Sequence, residues 1–172
     1  MAICSPIDNG IAKSCSNNAG GVSKIYITDF DNVTGITASG GTVSSITMSD
    51  SFYEFVFNKN TSEFNENAQI NLENGSTFFE QTVILKIPRR EVSKRNVIEK
   101  LVAGQKDLIV IVKDANSLYW LLGEDNGMNV TTIESAAGTV KEDGSNYTIT
   151  LTAQESDQAK GVDSSIIAGL VV

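Results

Sequence analysis

Asn74-Gly75 stands between two alternating stretches, and no other feature of the chain restricts its fold as strongly. Both residues tolerate positive φ, so the pair predicts a β-hairpin closed by a two-residue type I′ turn. The hairpin runs from Phe64 to Ile87. That loop pairs Glu73 with Ser76, Leu72 with Thr77, Ile70 with Phe79, Ala68 with Gln81, Glu66 with Val83 and Phe64 with Leu85. Antiparallel partners share a face. One face therefore gathers Phe64, Ala68, Ile70, Leu72, Phe79, Val83 and Leu85, with Glu66, Thr77 and Gln81 as polar exceptions. The other gathers Asn65, Asn67, Gln69, Asn71, Glu80 and Thr82, interrupted by Phe78 and Ile84. A slip of one residue would destroy this sorting, so the register is specified by the pattern.

The remaining chain suits the same kind of fold. Its 172 residues fit one domain, with 41% hydrophobic residues to supply a core that needs no disulfide or metal. Residues 1–22 are turn and loop material, including Pro6, Asp8-Asn9-Gly10 and Asn17-Asn18-Ala19-Gly20-Gly21. This composition suits a disordered tail; in an assembling protein it suits an arm that orders on a neighbour. Residues 23–172 read as a single β-rich domain. Strands are expected over Ser23–Phe30, Val33–Ala38, Thr42–Met48 and the aromatic stretch Ser51–Asn58, with a turn at Gly40-Gly41. After the hairpin, Arg89–Ala103 is the one expected helix, from the spacing of Val97, Ile98, Leu101 and Val102, with Gly104 just past its end. Asp107–Val112 is almost wholly apolar and predicts a strand buried on both faces. Leu118–Leu122, Val130–Ser135 and Tyr147–Ala153 follow as strands, and Ser164–Val172 as a closing apolar strand. About ten to twelve strands and one helix predict a mainly β fold, an antiparallel sandwich or barrel.

Charge and chemistry narrow the function. The net charge is −8, which argues against a surface built to grip nucleic acid. The same charge suits ordinary solubility, or a surface that repels phosphate. There is no histidine, which removes Ser-His-Asp and Cys-His catalysis and His-ligated zinc. Cys4 and Cys15 read as free thiols in a reducing cytosol, although the spacing also permits a disulfide across the N-terminal loop. The first twelve residues lack a signal-peptide pattern, and no apolar run approaches the ~20 residues of a membrane helix. Folding in the cytoplasm is the expectation. Ser39-Gly40-Gly41 opens no helix and precedes no Lys, so it reads as a turn and not a phosphate loop. Asp125-Asn126-Gly127 lacks the glutamate that a calcium loop requires. Tyr53, Phe55, Phe57, Phe78 and Phe79 lack the interleaved Lys or Arg of a base-stacking platform and read as core. No catalytic, cofactor or metal site is expected, and the chain reads as a non-enzyme. Arg89, Arg90, Lys94, Arg95 and Lys100 concentrate positive charge on the helix. They read either as a solvated face or as a docking surface for the acidic side of a neighbouring copy.

Two phrases carry a resemblance. They are Ser117-Leu118-Tyr119-Trp120-Leu121-Leu122-Gly123-Glu124-Asp125-Asn126-Gly127 and the stretch from Gly138 through Asp143-Gly144-Ser145-Asn146-Tyr147-Thr148-Ile149-Thr150-Leu151. With the order of parts from about Ser23 onward, the chain resembles virion structural proteins of tailed bacteriophages, most nearly tail tube proteins of phages of Bacteroides-like hosts. The resemblance implies a structural subunit that forms hexameric rings stacked into a hollow tube, with long strands joined into an inner barrel and the helix outside. It implies localisation in the virion tail after assembly in the host cytoplasm. Implied partners are further copies of the chain and other tail or neck proteins, with DNA passing through unbound and no membrane. It would turn Asn65, Asn67, Gln69, Asn71, Glu80 and Thr82 toward the lumen, and Arg89, Arg90, Lys94 and Arg95 toward a neighbouring subunit. No Lys or Arg lies between Phe64 and Leu85, as a wall that DNA must slide past requires. Phe78 and Ile84 fit that wall poorly. Other virion components with a related sandwich remain alternatives: a head-to-tail completion ring, a capsid decoration protein or the tube of a contractile system. A ligand-binding or adhesive β-sandwich is a further one. Glycan binding would need an exposed aromatic platform, and the neighbours of Trp120 suggest burial instead.

Overall fold

The computed structural model describes Ile7 and residues 9–172, so Cys4 and any pairing it makes lie outside the described residues. Cys15 is a free, exposed thiol. Two antiparallel-dominated sheets face each other as a mainly β sandwich with two helices. In chain order the strands are β1 (Val22–Asp29), β2 (Val33–Ser39), β3 (Thr42–Met48), β4 (Tyr53–Phe55), β5 (Glu63–Asn71) and β6 (Ser76–Pro88). Helix α1 (Val92–Val102) follows, then β7 (Leu108–Asp114), β8 (Tyr119–Leu122), β9 (Asn129–Ala136), β10 (Asn146–Glu155), β11 (Lys160–Val162) and helix α2 (Ser164–Leu170). The larger sheet has the order β2-β3-β11-β8-β7-β1-β4, and the smaller β5-β6-β10-β9.

The main core lies between the sheets. Ile25 and Ile27 of β1 and Leu108, Val110 and Val112 of β7 meet Val83 and Leu85 of β6 and Tyr147, Ile149 and Leu151 of β10. Each such buried aliphatic side chain stabilises by roughly 1.5–3 kcal/mol. Ile98 of α1 joins this core, with Leu101 packed against it. Alternation along β10 buries Tyr147, Ile149 and Leu151 while the intervening threonines stay partly exposed, as the sequence predicts. The other face of the larger sheet carries a second core of Tyr26, Val43, Ile46, Phe52, Ile109, Ile111, Leu121 and Val162. Helix α2 covers it with Ile167 and Leu170. Strand β7 is thus buried on both faces, as its unbroken apolar run requires.

Several expected elements are redrawn. The closing strand over 164–172 is instead helix α2, because the Asp163 side chain accepts from the Ser165 N–H and caps a turn. Only Val171 keeps strand character, as an isolated bridge to Phe52. Helix α1 starts three residues later than expected: Arg89 has φ +61 and Glu91 is the extended cap residue. Its end is as expected, with Gly104 at φ +82 just beyond Ala103. The aromatic stretch pairs only over Tyr53–Phe55. Its aromatics divide between layers, Phe52 in the second core and Phe55 and Phe57 against the first. The three residues of β11 lie in the polar stretch Gln154–Asp163, between the expected strands Tyr147–Ala153 and Ser164–Val172. They pair parallel to β3 and antiparallel to β8. Residues 9–21 are irregular, and Ala19 N–H donates to Asn116 Oδ1 in the β7–β8 turn at 2.8 Å.

The hairpin forms, with a different turn. Observed partners are Phe64 with Val83, Glu66 with Gln81, Ala68 with Phe79, Ile70 with Thr77 and Asn71 with Ser76. The register is displaced by two residues, and the loop is four residues, Leu72 to Gly75. The Asn71 side chain is the cause: its Oδ1 accepts from Glu73 N–H at 2.9 Å and from Asn74 N–H at 3.4 Å. Gly75 N–H donates to Asn71 C=O at 2.9 Å and only Gly75, at φ +71, takes the left-handed conformation. A displacement of two preserves side-chain parity, so both predicted faces survive. The two-residue glycine turn belongs instead to β2 and β3, where Gly40 and Gly41 have φ +59 and +79.

Candidate functional site

The candidate site is the outer face of the smaller sheet. Register carries the hairpin face across all four strands. Asn65 pairs with Thr82, Thr82 with Thr152, and Thr152 with Asn129. Asn67 pairs with Glu80, and Glu80 with Gln154. Further along, Ile84 meets Thr150 and Thr150 meets Thr132, while Lys86 meets Thr148 and Thr148 meets Glu134. These rows make one surface of Asn, Gln and Thr with a few charges. Asn65, Asn67, Gln69 and Asn71 are exposed, and Glu80 and Thr82 are half-buried by their neighbours. Gln69 Nε2 donates to Glu80 Oε2 at 3.3 Å, one of the few side-chain bonds on this face. Asn71 differs from the others, since its carboxamide is committed to the turn.

Charge on the face is slightly negative. Glu63, Glu80 and Glu134 share it with a single cation, Lys86, near the α1 end. Phe78 and Ile84 lie on it half-buried, Phe78 opposite Gln69 and Ile84 opposite Glu63. The β9 and β10 portions, Asn129, Thr132, Glu134, Thr148, Thr150, Thr152 and Gln154, are absent from the hairpin-based expectation. The signal for them is the Thr-x-Thr-x-Thr alternation in β10; which strand it joins is a long-range fact that no local pattern encodes.

The polar exceptions on the inner face have a structural role. Gln81 is 2% exposed and Glu155 3% exposed. Gln81 Nε2 donates to Glu66 Oε1 at 3.1 Å, and its Oε1 accepts from Gly123 N–H at 3.1 Å. Glu66 Oε1 also accepts from Ala159 N–H at 2.7 Å. Glu155 accepts from Asp125 N–H at 2.8 Å and Asn126 N–H at 3.2 Å. Burial pushes the Glu155 carboxyl above its ordinary value, against those two backbone bonds that lower it. Lys160 pairs with Glu124 at 2.7 Å, and that bond raises the ammonium's pKa. This group ties the hairpin, the 123–127 loop and β11 together at one end of the sandwich. It positions the sheet and is not aimed at solvent.

The helix cations are used locally. Arg89 Nε pairs with Glu91 Oε1 at 3.0 Å. Lys94 Nζ donates to Pro88 C=O at 2.7 Å and lies 3.6 Å from Glu91 Oε2. Arg95 reaches Glu99 at 3.1 Å, and the Arg90 guanidinium stacks 5.7 Å from the Tyr147 ring centroid. Trp120 is half-buried and its Nε1 donates to Asp114 Oδ2 at 3.2 Å. Among the described residues, no group of three or more His, Cys, Asp or Glu side chains could hold a metal ion. Nor, among them, is any helix long and apolar enough to cross a membrane.

These features define a two-sheet β-sandwich with a broad polar face on the smaller sheet. The chain matches no family model, no characterised protein and no solved structure.

Proposed function

We propose that this chain is a non-catalytic structural subunit that assembles with copies of itself into stacked rings, forming the hollow tail tube of a bacteriophage. The observation that carries the reading is the polar face that spans β5, β6, β10 and β9, interrupted by Phe78 and Ile84 among the paired residues. An antiparallel sheet commonly turns a polar face to solvent; what supports the reading is the composition of this one, rich in Asn, Gln and Thr with Lys86 as the cation among its paired residues. A channel wall suits this chemistry: carboxamides and hydroxyls stay hydrated, and a slight negative charge keeps phosphate from adhering. Lys86 stands at the α1 end of β6, away from the hairpin tip. Rings of six, localisation in the virion tail and contact with other tail or neck proteins follow from the same reading.

The test is the double substitution Asn67→Lys and Gln69→Lys. Both positions are exposed, so the variant folds like the parent. In assembled particles it slows or stalls DNA passage, and the defect eases as salt rises. A variant that assembles and passes DNA at the parental rate would overturn the assignment of this face.

A further inference from the structure

The hairpin outreaches the sheet that carries it. Strand β10 pairs with β6 only from Phe79 to Pro88. The last three ladder pairs, Gln69–Phe78, Ile70–Thr77 and Asn71–Ser76, and the loop beyond them have no third strand. On the inner face of this overhang Ile70 is 64% exposed, and Leu72, in the loop just beyond it, is 91% exposed. An apolar groove of about 420 Å3 lies between β4 and α1, lined by Tyr53, Phe55, Val56, Val97 and Ile98 among others. Val56 is 74% exposed and Val97 47%. Ile87, at the far end of β6, also lines the groove. Tip and groove are therefore separated by the length of β6, roughly 36 Å at ~3.3 Å per residue. One chain cannot bring its own tip into its own groove.

Charge favours a second copy as the occupant. Between Glu63 and Thr82 the hairpin carries Glu63, Glu66, Glu73 and Glu80 and no cation. The segment flanking the groove carries Lys86, Arg89, Arg90, Lys94, Arg95 and Lys100 against Glu91 and Glu99, while Glu54 in the groove lining is paired with Lys24 at 3.0 Å. An acidic tip with an aliphatic end meets a cationic rim around an apolar groove. We infer that the hairpin tip of one copy seats Leu72 and Ile70 in the β4–α1 groove of the next. Such a contact is heterologous, so repeated head to tail it builds a closed ring or an open stack according to the rotation between copies. The inference rests on the self-assembly part of the proposed function and not on the channel, and its test involves no DNA.

The experiment uses purified full-length protein. Sedimentation velocity across a concentration series shows association that weakens with salt. Leu72→Ser and Val97→Ser, each at an exposed position, raise the concentration for half-association at least about tenfold, with circular dichroism unchanged. In a background with Cys4 and Cys15 replaced by Ser, separately prepared Leu72→Cys and Val97→Cys proteins are mixed and oxidised. A mixed disulfide that outweighs either self-disulfide supports the contact. A protein that stays monomeric throughout the series overturns it. So does association that both serine variants leave intact, or a cysteine pair that yields only self-disulfides.

Discussion

Gln81 donates its carboxamide to Glu66 directly across the hairpin, at 3.1 Å, from a position almost fully removed from solvent. This pair links the two arms of the hairpin, and each partner reaches a loop outside it. The other end of the Gln81 carboxamide holds the Gly123 N–H, and Glu66 holds the Ala159 N–H. Substituting Gln81→Leu leaves Gly123 N–H and one carboxylate bond unmet in a buried setting. The expected loss is about 1–3 kcal/mol, read as a fall in the urea midpoint at constant m-value. An unchanged midpoint would show that water replaces the carboxamide at no cost.

Glu155 sets one pH dependence. Its carboxyl is raised above the ordinary 4.5 by burial, so the folded state holds a proton that the unfolded state has released. Between 4.5 and the raised value, stability therefore falls as pH rises. Glu155→Gln removes this component, and denaturation midpoints of parent and variant diverge across that window. A carboxyl carbon of Glu155 that titrates by NMR at or below 4.5 contradicts the account.

Asp163 has the opposite sign. The Ser165 N–H and hydroxyl bind its carboxylate and lower its pKa below 3.8. That stabilisation is fully present above 3.8 and is lost as pH falls through the folded value. Asp163→Ala removes the cap of α2 at neutral pH and lowers Tm, because Ile167 and Leu170 then cover the second core less securely. Asp163→Asn, which caps without charge, recovers most of the loss and abolishes the acid dependence.

Two glycines with the same backbone conformation separate conformational cost from collision. Gly75 and Gly123 have φ +71 and +73. A Cβ at Gly75 meets nothing within 4 Å, so Gly75→Ala costs only the left-handed penalty, about 1–2 kcal/mol. A Cβ at Gly123 meets Met128 N at 2.8 Å and Leu108 C=O at 2.9 Å, both rigid backbone. Gly123→Ala therefore costs about 1–3 kcal/mol more. Equal losses in parallel denaturation curves would refute the distinction.

How much the sequence reveals depends on the range of the interaction. Both faces of the hairpin are legible because period-2 alternation survives any even displacement of register. The register is not, because the Asn71 carboxamide competes for Glu73 N–H and Asn74 N–H and enlarges the loop. The doubly buried β7 is legible from its unbroken apolar run. Helix α2 is hidden because a short apolar segment fits strand or helix equally, although Asp163-Ser164-Ser165 carries a cap signal. Strand β11 leaves no local trace, since Lys160-Gly161-Val162 acquires its role only from distant partners, Thr42 and Val43 in β3 and Tyr119 to Leu121 in β8. The polar outer face of the smaller sheet is legible on its hairpin half and missed on its β9–β10 half for the same reason.

Strand β11 has a consequence for how the protein is made. It alone lies between the β2–β3 hairpin and β8 in the larger sheet. During synthesis β2, β3, β7 and β8 all leave the ribosome before Lys160–Val162 exists. Until that clasp emerges, β3 and β8 each present an open edge, and the early hairpin has no sheet to join. The β3 edge is therefore open for most of translation and the β8 edge from Leu122 onward, and closure is a late, long-range event. Substitutions in these three residues act first on the yield of folded protein and only second on its final stability.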